Sequence, residues 1–222
     1  MPEAIRPEVI KPEVIKIDPG NPEQTLIDRA VEILRGGGVI AYPTETFYGL
    51  GAHAGNAKAV EKIFIIKGRP FANPIALIMG DEENIEELVT EISPASRILM
   101  EAFWPGALTL VFHASSRIPP SLTAGAGTIG IRLSSHPIAS AIAQTLHFPI
   151  TATSANLSGE GECSRAEEVA ERLKEKIDAI IDGGGARGGV SSTILDVTTD
   201  PPVIIREGTI PASSIYALLG KR

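Results

Sequence analysis

The sequence has very little cysteine and no long apolar run. Its single cysteine, Cys163, excludes an internal disulfide, and without a histidine nearby it does not suggest a zinc site. No run reaches the roughly 18 to 20 apolar residues that a membrane-spanning helix requires. Residues 1–13 are charged and punctuated by proline, unlike a signal peptide. These absences predict a globular protein in the cytoplasm with no membrane partner.

Positive charge is also scarce, since 20 lysines and arginines face 27 aspartates and glutamates, for a formal net charge of -7. Affinity for nucleic acid comes largely from many lysine and arginine contacts to phosphates. The balance therefore disfavours a protein whose main task is to coat nucleic acid. It still allows a local basic groove built from a few cations.

Several active-site signatures are missing as well. The glycines form neither a Walker A loop nor a GxGxxG fingerprint, which disfavours those two kinds of nucleotide-binding fold. The sequence contains no Ser-His-Asp set and no close cluster of histidine, aspartate and glutamate. We therefore predict neither a catalytic triad nor a protein-borne metal site.

What the sequence does contain is a regular succession of short apolar runs and amphipathic segments. With 43% hydrophobic residues in 222, the chain can bury a substantial core. About eight short strands among six or seven helices, with no break in composition, predict one mixed α/β domain at residues 14–222 after an extension at residues 1–13. Three of the predicted helices start from cap signals, at Asn21, at Asp81 and at a Ser164 to Glu167 capping box.

Two cations, Lys67 and Arg69, follow an apolar helix-like run and precede Pro70, which cannot continue a helix. A turn there would hold them side by side, as a polyphosphate site requires. The alternative is a solvated helix end, because basic residues commonly decorate the last turn.

Hydroxyl and amide side chains recur at the ends of predicted strands, interleaved with further cations. This inventory is typical of a site that binds a phosphorylated substrate without a covalent nucleophile. Each polar residue alone would more often cap a strand end, so the prediction depends on the whole set. The set consists of Thr46, Ser154, Asn156 and Ser192 with Lys67, Arg69, Arg132 and Arg206.

Four motifs occur in the order and at the spacing of the YrdC-like threonylcarbamoyl-adenylate synthases, which the chain therefore resembles. They lie at residues 41–51, 67–70, 104–106 and 154–156, and the likeness extends over about residues 14–219. It implies the short form of the family, without the extra C-terminal domain of longer members. The implied fold is YrdC-like (RibB-like), a twisted mixed β-sheet flanked by helices around a concave, positive cavity.

The resemblance also implies an activity, the formation of threonylcarbamoyl-AMP and pyrophosphate from L-threonine, bicarbonate and ATP, with Mg2+ on the pyrophosphate. The product would serve the N6-threonylcarbamoyl modification of adenosine 37 in tRNA, through a downstream threonylcarbamoyl-transferase complex. Direct binding of tRNA or double-stranded RNA is a further partnership that the resemblance allows.

Carried over by position, the family's site residues fall into two groups. Lys67, Arg69, Ser154 and Asn156 would be catalytic and, with Asn73, Thr128 and Arg206, would bind ATP, whereas Thr46, Arg132 and Ser192 would bind threonine. Lys67 is expected to be an exposed cation whose removal costs activity but little stability.

Three positions depart from the family pattern. Ile78 replaces a histidine, Glu162 replaces a serine and would repel phosphates, and Ser191 replaces a glutamate. These changes leave room for a paralogue that uses another carbamate acceptor. Two further alternatives are a non-catalytic RNA-binding or regulatory module and a carbamoyl transferase like the YrdC-like domain of hydrogenase-maturation proteins. The segments that accompany that last domain are missing here.

Overall fold

A computed structural model describes residues 11–220 of the chain. The first copy of a short direct repeat (residues 6–10 and 11–15) and most of the predicted N-terminal extension lie outside the described residues. The boundary at residue 14 remains a prediction.

The described residues contain a ten-stranded mixed sheet with the order β1-β8-β2-β3-β7-β4-β6-β5-β9-β10. Four neighbouring pairs are parallel (β1 with β8, β8 with β2, β4 with β6, β5 with β9), and the other pairs are antiparallel. The strands are β1 (Glu13–Lys16), β2 (Ile40–Pro43), β3 (Tyr48–Gly51), β4 (Ala76–Met79), β5 (Leu108–His113), β6 (Thr128–Leu133), β7 (Ile150–Ser154), β8 (Ala179–Asp182), β9 (Thr193–Asp196) and β10 (Val203–Arg206).

Helices flank the sheet, which confirms the predicted fold class. They are α1 (Gln24–Arg35), α2 (Ala57–Lys67), α3 (Ile85–Leu88), α4 (Pro94–Phe103), α5 (Pro120–Thr123), α6 (Pro137–Leu146), α7 (Ala166–Leu173) and α8 (Ala212–Leu218), with 3-10 turns at Glu82–Asn84 and Lys174–Lys176. Within residues 11–220, none of these helices is long and apolar enough to cross a membrane.

The two faces of the sheet carry separate cores, because successive strand residues point to opposite sides. On one face, α1 and α6 pack over Ile40, Ile78 and Ile150. The neighbours Ala41 and Leu77 belong to the larger core on the other face. Beyond the area that α1 and α6 cover, the first face bears small side chains, and this uncovered area becomes the floor of a cavity.

Three local predictions were wrong. Helix α1 begins at Gln24 with Glu23 as its N-cap and no capping side chain, so Asn21 lies outside it. The predicted helix at residues 81–92 is a 3-10 turn followed by the single turn of α3, although the Asp81 carboxylate does accept from Glu83 N. The Ser164 capping box is displaced, since it is Glu168 that accepts from Ser164 N, at 2.7 Å, and the N-cap is Arg165.

The sequence does not indicate strand β3, because the threonine hydroxyls that follow β2 are typical of a polar turn. The Thr44 hydroxyl does hold a turn there, donating to Phe47 O at 2.7 Å. The chain then returns antiparallel to β2, with Tyr42 opposite Gly49. The hairpin brings the polar turn to the edge of the cavity.

Candidate active site

The uncovered area of the sheet is the floor of a cavity of about 210 Å³. Part of its lining consists of Ala76 of β4 and its register partner Ala152 of β7, together with Gly49 of β3, which pairs with Ser154 of β7. A β-carbon on Gly130 of β6 would approach Ala76 Cβ to 3.4 Å. Larger residues at these positions would fill the space, so small side chains create the cavity.

Three arginines from separate elements line this cavity, namely Arg69, Arg132 and Arg206. Arg69 follows α2 and is held by its own loop, donating through Nη2 to Pro74 O at 3.0 Å and through Nε to Asn73 O at 3.3 Å. Arg206, at the end of β10, donates to Ser192 O at 2.8 Å through Nη2. Burial lowers the pKa of both Arg69 and Arg206, yet a guanidinium stays charged in proteins.

Arg132 is buried on β6 and is paired with Glu45, whose Oε1 lies 3.1 Å from Arg132 Nη1. Ser134 Oγ donates to the other oxygen of Glu45 at 2.5 Å. Glu45 follows β2 in the turn whose Thr44 and Thr46 line the cavity. Sequence reasoning missed this carboxylate. Its position between two threonines after a buried strand was the available signal, but Arg132 follows 87 positions later in the sequence, and local patterns do not reveal such a pairing.

Lys67 differs from the sequence-based expectation, because it is only 3% exposed and lies behind the cavity wall. Its Nζ donates to Ser154 O at 2.5 Å, to Asn156 O at 2.8 Å and to Asn156 Oδ1 at 2.9 Å. These bonds use all three of its protons. Burial, and then the nearby charge of Arg69, lower the pKa of Lys67 to about 8, against an opposing effect of Glu162. The prediction of an exposed cation was wrong.

Further hydrogen bonds stabilise the turn that follows β7, to which Lys67 donates. Ser154 Oγ donates to Asn156 Oδ1 at 2.6 Å, and Asn156 Nδ2 donates to Glu160 O at 2.6 Å. Of these residues Ser154 lines the cavity, whereas Asn156 stands behind it with Lys67. Lys67, Ser154 and Asn156 therefore form one hydrogen-bonded cluster beside the cavity.

The other predicted site residues are placed unequally. Thr46 and Ser192 are buried and line the cavity, and the Ser192 hydroxyl lies 3.3 Å from that of Thr109, a lining residue that sequence reasoning missed. Asn73 is exposed and contributes its carbonyl to Arg69. Thr128 pairs with His113 at the far end of β6, two residues along the same face from Gly130, outside the lining.

The three departures from the family pattern also have defined places. Ile78 is fully buried under α6 and pairs in register with Arg132. Glu162 and Ser191 both line the cavity and contact each other, since Ser191 Oγ lies 2.8 and 3.0 Å from the two carboxylate oxygens. Where the resemblance leads us to expect a serine at position 162 and a glutamate at position 191, the chain has the same two residue types in exchanged positions, in contact with each other.

Comparison with known proteins places this site among relatives. Residues 32–208 match the Sua5/yciO/yrdC family model, described as "Telomere recombination". The chain is 42% identical over 199 residues to threonylcarbamoyl-AMP synthase from Pyrococcus abyssi, covering 90% of this chain and 58% of that protein. It is also 38% identical over 194 residues to the uncharacterized protein YciO of Escherichia coli strain K12, covering 86% of this chain and 93% of YciO.

A solved structure agrees with these sequence matches. The crystal structure of P. abyssi Sua5 complexed with L-threonine superimposes with a TM-score of 0.90 at 40% identity, covering 94% of this chain and 61% of that one. This chain therefore spans well under two thirds of the length of the P. abyssi protein. The matched residues include the whole cavity described above, and the chain belongs to the Sua5/YciO/YrdC family.

Proposed function

We propose that the chain forms threonylcarbamoyl-AMP from L-threonine, bicarbonate and ATP and releases pyrophosphate. The observation that carries this proposal is the convergence of Arg69, Arg132 and Arg206 on one cavity beside buried hydroxyls. A triphosphate and an amino-acid carboxylate are both anions, and bidentate guanidinium groups suit both. The name of the P. abyssi relative, and its structure with L-threonine, support the same assignment.

The chemistry needs no covalent nucleophile from the protein. The threonine amine attacks the carbon of bicarbonate, and water leaves to give the N-carboxylate. A carboxylate oxygen then attacks the α-phosphorus of ATP, while the bond from that phosphorus to the bridging oxygen breaks and pyrophosphate leaves. Catalysis consists of bringing two anions together and neutralising the charge that develops on the leaving group.

We assign Arg132 to the threonine carboxylate, with Thr46 and Ser192 as hydrogen-bonding partners of the amino acid. Glu45, which accepts a hydrogen bond from Ser134, pairs with Nη1 of Arg132, and this leaves the other donors of the guanidinium available to a ligand. An arginine fixed in this way loses little conformational entropy when substrate binds.

We assign the triphosphate to Arg69 and Arg206, next to the Ser154 hydroxyl. Both arginines are tethered through backbone carbonyls, so their remaining N–H groups are pre-oriented. Lys67 and Asn156 shape this corner from behind the wall. Asn73 contributes by holding Arg69, and Thr128 is assigned to the nucleotide by its place on the face of β6 that carries Arg132.

The remaining components follow from the reaction. Mg2+ bound with the nucleotide would supply positive charge near the leaving pyrophosphate. The threonylcarbamoyl group then passes to adenosine 37 of tRNA through a downstream transferase complex, in the cytoplasm.

A second candidate function is the same adenylation with another amino acid. It is suggested by Ile78, an apolar residue that pairs in register with Arg132, the arginine that we assign to the amino-acid carboxylate.

The decisive experiment mixes the protein with Mg-ATP, bicarbonate and single amino acids, and follows pyrophosphate release together with product mass. We expect release that depends on L-threonine and a product with the mass of threonylcarbamoyl-AMP. ATP turnover that is indifferent to threonine would contradict the proposal, and a product with another amino acid would favour the second candidate. Salt-sensitive tRNA binding without any adenylate would point to an RNA-binding module.

A matched pair of variants tests the site assignment. Arg132→Lys keeps the charge but loses the planar fork, so the KM for threonine should rise by about tenfold or more. Arg117→Lys makes the same change at an exposed arginine that is paired with Glu87, and it should leave both KM values unchanged.

A further inference from the structure

Glu162 places a carboxylate in the wall of the cavity to which we assign the triphosphate. Ser191 Oγ lies within hydrogen-bonding distance of both its oxygens, at 3.0 and 2.8 Å. One hydroxyl proton satisfies only a fraction of the acceptor capacity of a carboxylate. The rest remains available to a ligand.

The cations around Glu162 do not neutralise it by direct contact. Among the described residues, no lysine or arginine nitrogen forms an ion pair with its carboxylate, although its charge raises the pKa of Lys67 and of Arg206 against the lowering by burial. A triphosphate held by Arg69 and Arg206 would therefore lie near a carboxylate with which no described lysine or arginine forms an ion pair. Two anions this close repel each other unless a cation lies between them.

We propose that Glu162 is the protein ligand of the divalent cation, Mg2+, that arrives with the nucleotide. Mg2+ on nucleotides commonly takes one or two carboxylates, with phosphate oxygens and water completing its octahedron. The donor set here fits that chemistry, since it offers one carboxylate on the wall. Within residues 11–220, no group of three or more histidine, cysteine, aspartate or glutamate side chains forms an all-protein cage.

Ser191 orients this carboxylate. It precedes β9, whereas Glu162 lies in the segment between β7 and α7, so their hydrogen bond joins two parts of the wall. Partners of this kind fix the direction in which a ligating oxygen points. The inference rests on the proposed function, because the nucleotide supplies the other ligands of the cation.

Calorimetric titration of the full chain tests the inference by binding, independently of turnover. ATP is titrated once with excess Mg2+ and once with EDTA, into the wild type, Glu162→Gln and Glu175→Gln. Glu162→Gln removes the charge but keeps an oxygen that can accept from Ser191, and Glu175→Gln is the same change at an exposed residue.

Mg2+ should tighten ATP binding by about tenfold or more in the wild type and in Glu175→Gln, a typical strength for coupled ligands. In Glu162→Gln the effect should fall below about threefold, while ATP in EDTA binds as well as or better than to the wild type, because a repelling charge is gone. An unchanged Mg2+ effect in Glu162→Gln overturns the inference. So does binding that tightens equally with and without the metal, since Glu162 would then only repel phosphate.

Ser191→Ala removes the hydrogen bond to Glu162 without changing the charge of the carboxylate. It keeps the carboxylate and loses the hydrogen bond that orients it, so the Mg2+ effect should be smaller than in the wild type but larger than in Glu162→Gln. A Mg2+ effect in Ser191→Ala equal to that of the wild type would contradict the orienting role of Ser191. A wild type that binds no ATP in either condition contradicts the proposed function itself, whereas a wild type that binds ATP with a Glu162-independent Mg2+ effect contradicts only the metal site.

Discussion

Replacing Lys67 with methionine should destabilise the chain as well as weaken nucleotide binding. The substitution keeps the length of the apolar stem but removes an ammonium that donates to Ser154 O, Asn156 O and Asn156 Oδ1. Asn156 Oδ1 retains the proton of Ser154 Oγ, and Ser154 O still accepts from Asn156 N at 3.0 Å, so Asn156 O is the carbonyl that is left without its donor. The substitution therefore tests whether Lys67 stabilises the fold or acts on substrate directly.

The size of the effect follows mainly from Asn156 O. An unsatisfied buried acceptor costs about 1 to 3 kcal/mol, and the weaker hydrogen bonding of Ser154 O and Asn156 Oδ1 adds to this. The depressed pKa of Lys67 indicates that burying its charge is itself unfavourable, so losing the charge returns part of the cost. We expect a net loss of about 1 to 3 kcal/mol in the free energy of unfolding, which for a chain of this size lowers Tm by roughly 2 to 12 °C.

Urea denaturation of Lys67→Met, compared with Lys62→Met, measures this loss. Lys62 lies on the same helix and is exposed, with one hydrogen bond from Nζ to Gly37 O at 2.7 Å, so its removal should cost less than about 1 kcal/mol. ATP affinity is measured on both variants under folding conditions. If Lys67→Met is as stable as the wild type and yet binds no ATP, the ammonium contacts phosphate directly and our account of its role is wrong.

Three further predictions concern the same cavity. Glu45→Gln should raise the KM for threonine by about tenfold with little change in the KM for ATP, because it loosens Arg132 alone; equal changes in both would refute this role. Burial lowers the pKa of Lys67 from 10.5 to about 8 in the folded chain. Between these two pH values the unfolded chain therefore keeps a proton on Lys67 that the folded chain has lost. The free energy of unfolding should therefore rise across that window while ATP affinity falls, and Lys67→Met should show neither trend in pH-resolved denaturation and titration. Ala152→Leu should fill the floor and abolish substrate binding in calorimetry while the chain still melts cooperatively.

The sheet could be predicted from the sequence wherever strands are apolar or alternate, as in β6, but β3 could not. Gly49 and Gly51 disfavour a strand on composition. Tertiary packing explains the glycine at position 51, because a β-carbon there would come within 2.9 Å of the ring of Tyr42 on the neighbouring strand. The helix predicted to begin at Asp81 fails for a similar reason, because Val89 forms an isolated bridge with Ala114, the residue that follows β5.

The candidate site divides in the same way. Sequence reasoning could select Arg69, Arg132 and Arg206 by residue type and position, and all three line the cavity. It could not show that Lys67 lies behind the wall, because a lysine at a helix end is usually solvated. The pairing of Arg132 with Glu45 likewise depends on the order of strands in the sheet, which local patterns do not reveal.

Charge balance in the cavity links these observations. Three arginines and the neighbouring Lys67 face two carboxylates, Glu45 and Glu162, so the site is only modestly positive, in keeping with a chain of net charge -7. A triphosphate together with a threonine carbamate carries more negative charge than this surplus can offset. Further positive charge must therefore be bound together with the substrates, and a divalent cation on the nucleotide would supply it. If metal-free ATP bound as tightly as Mg-ATP, the arginines alone would be sufficient to bind the triphosphate. The inference that Glu162 binds the divalent cation would then be wrong.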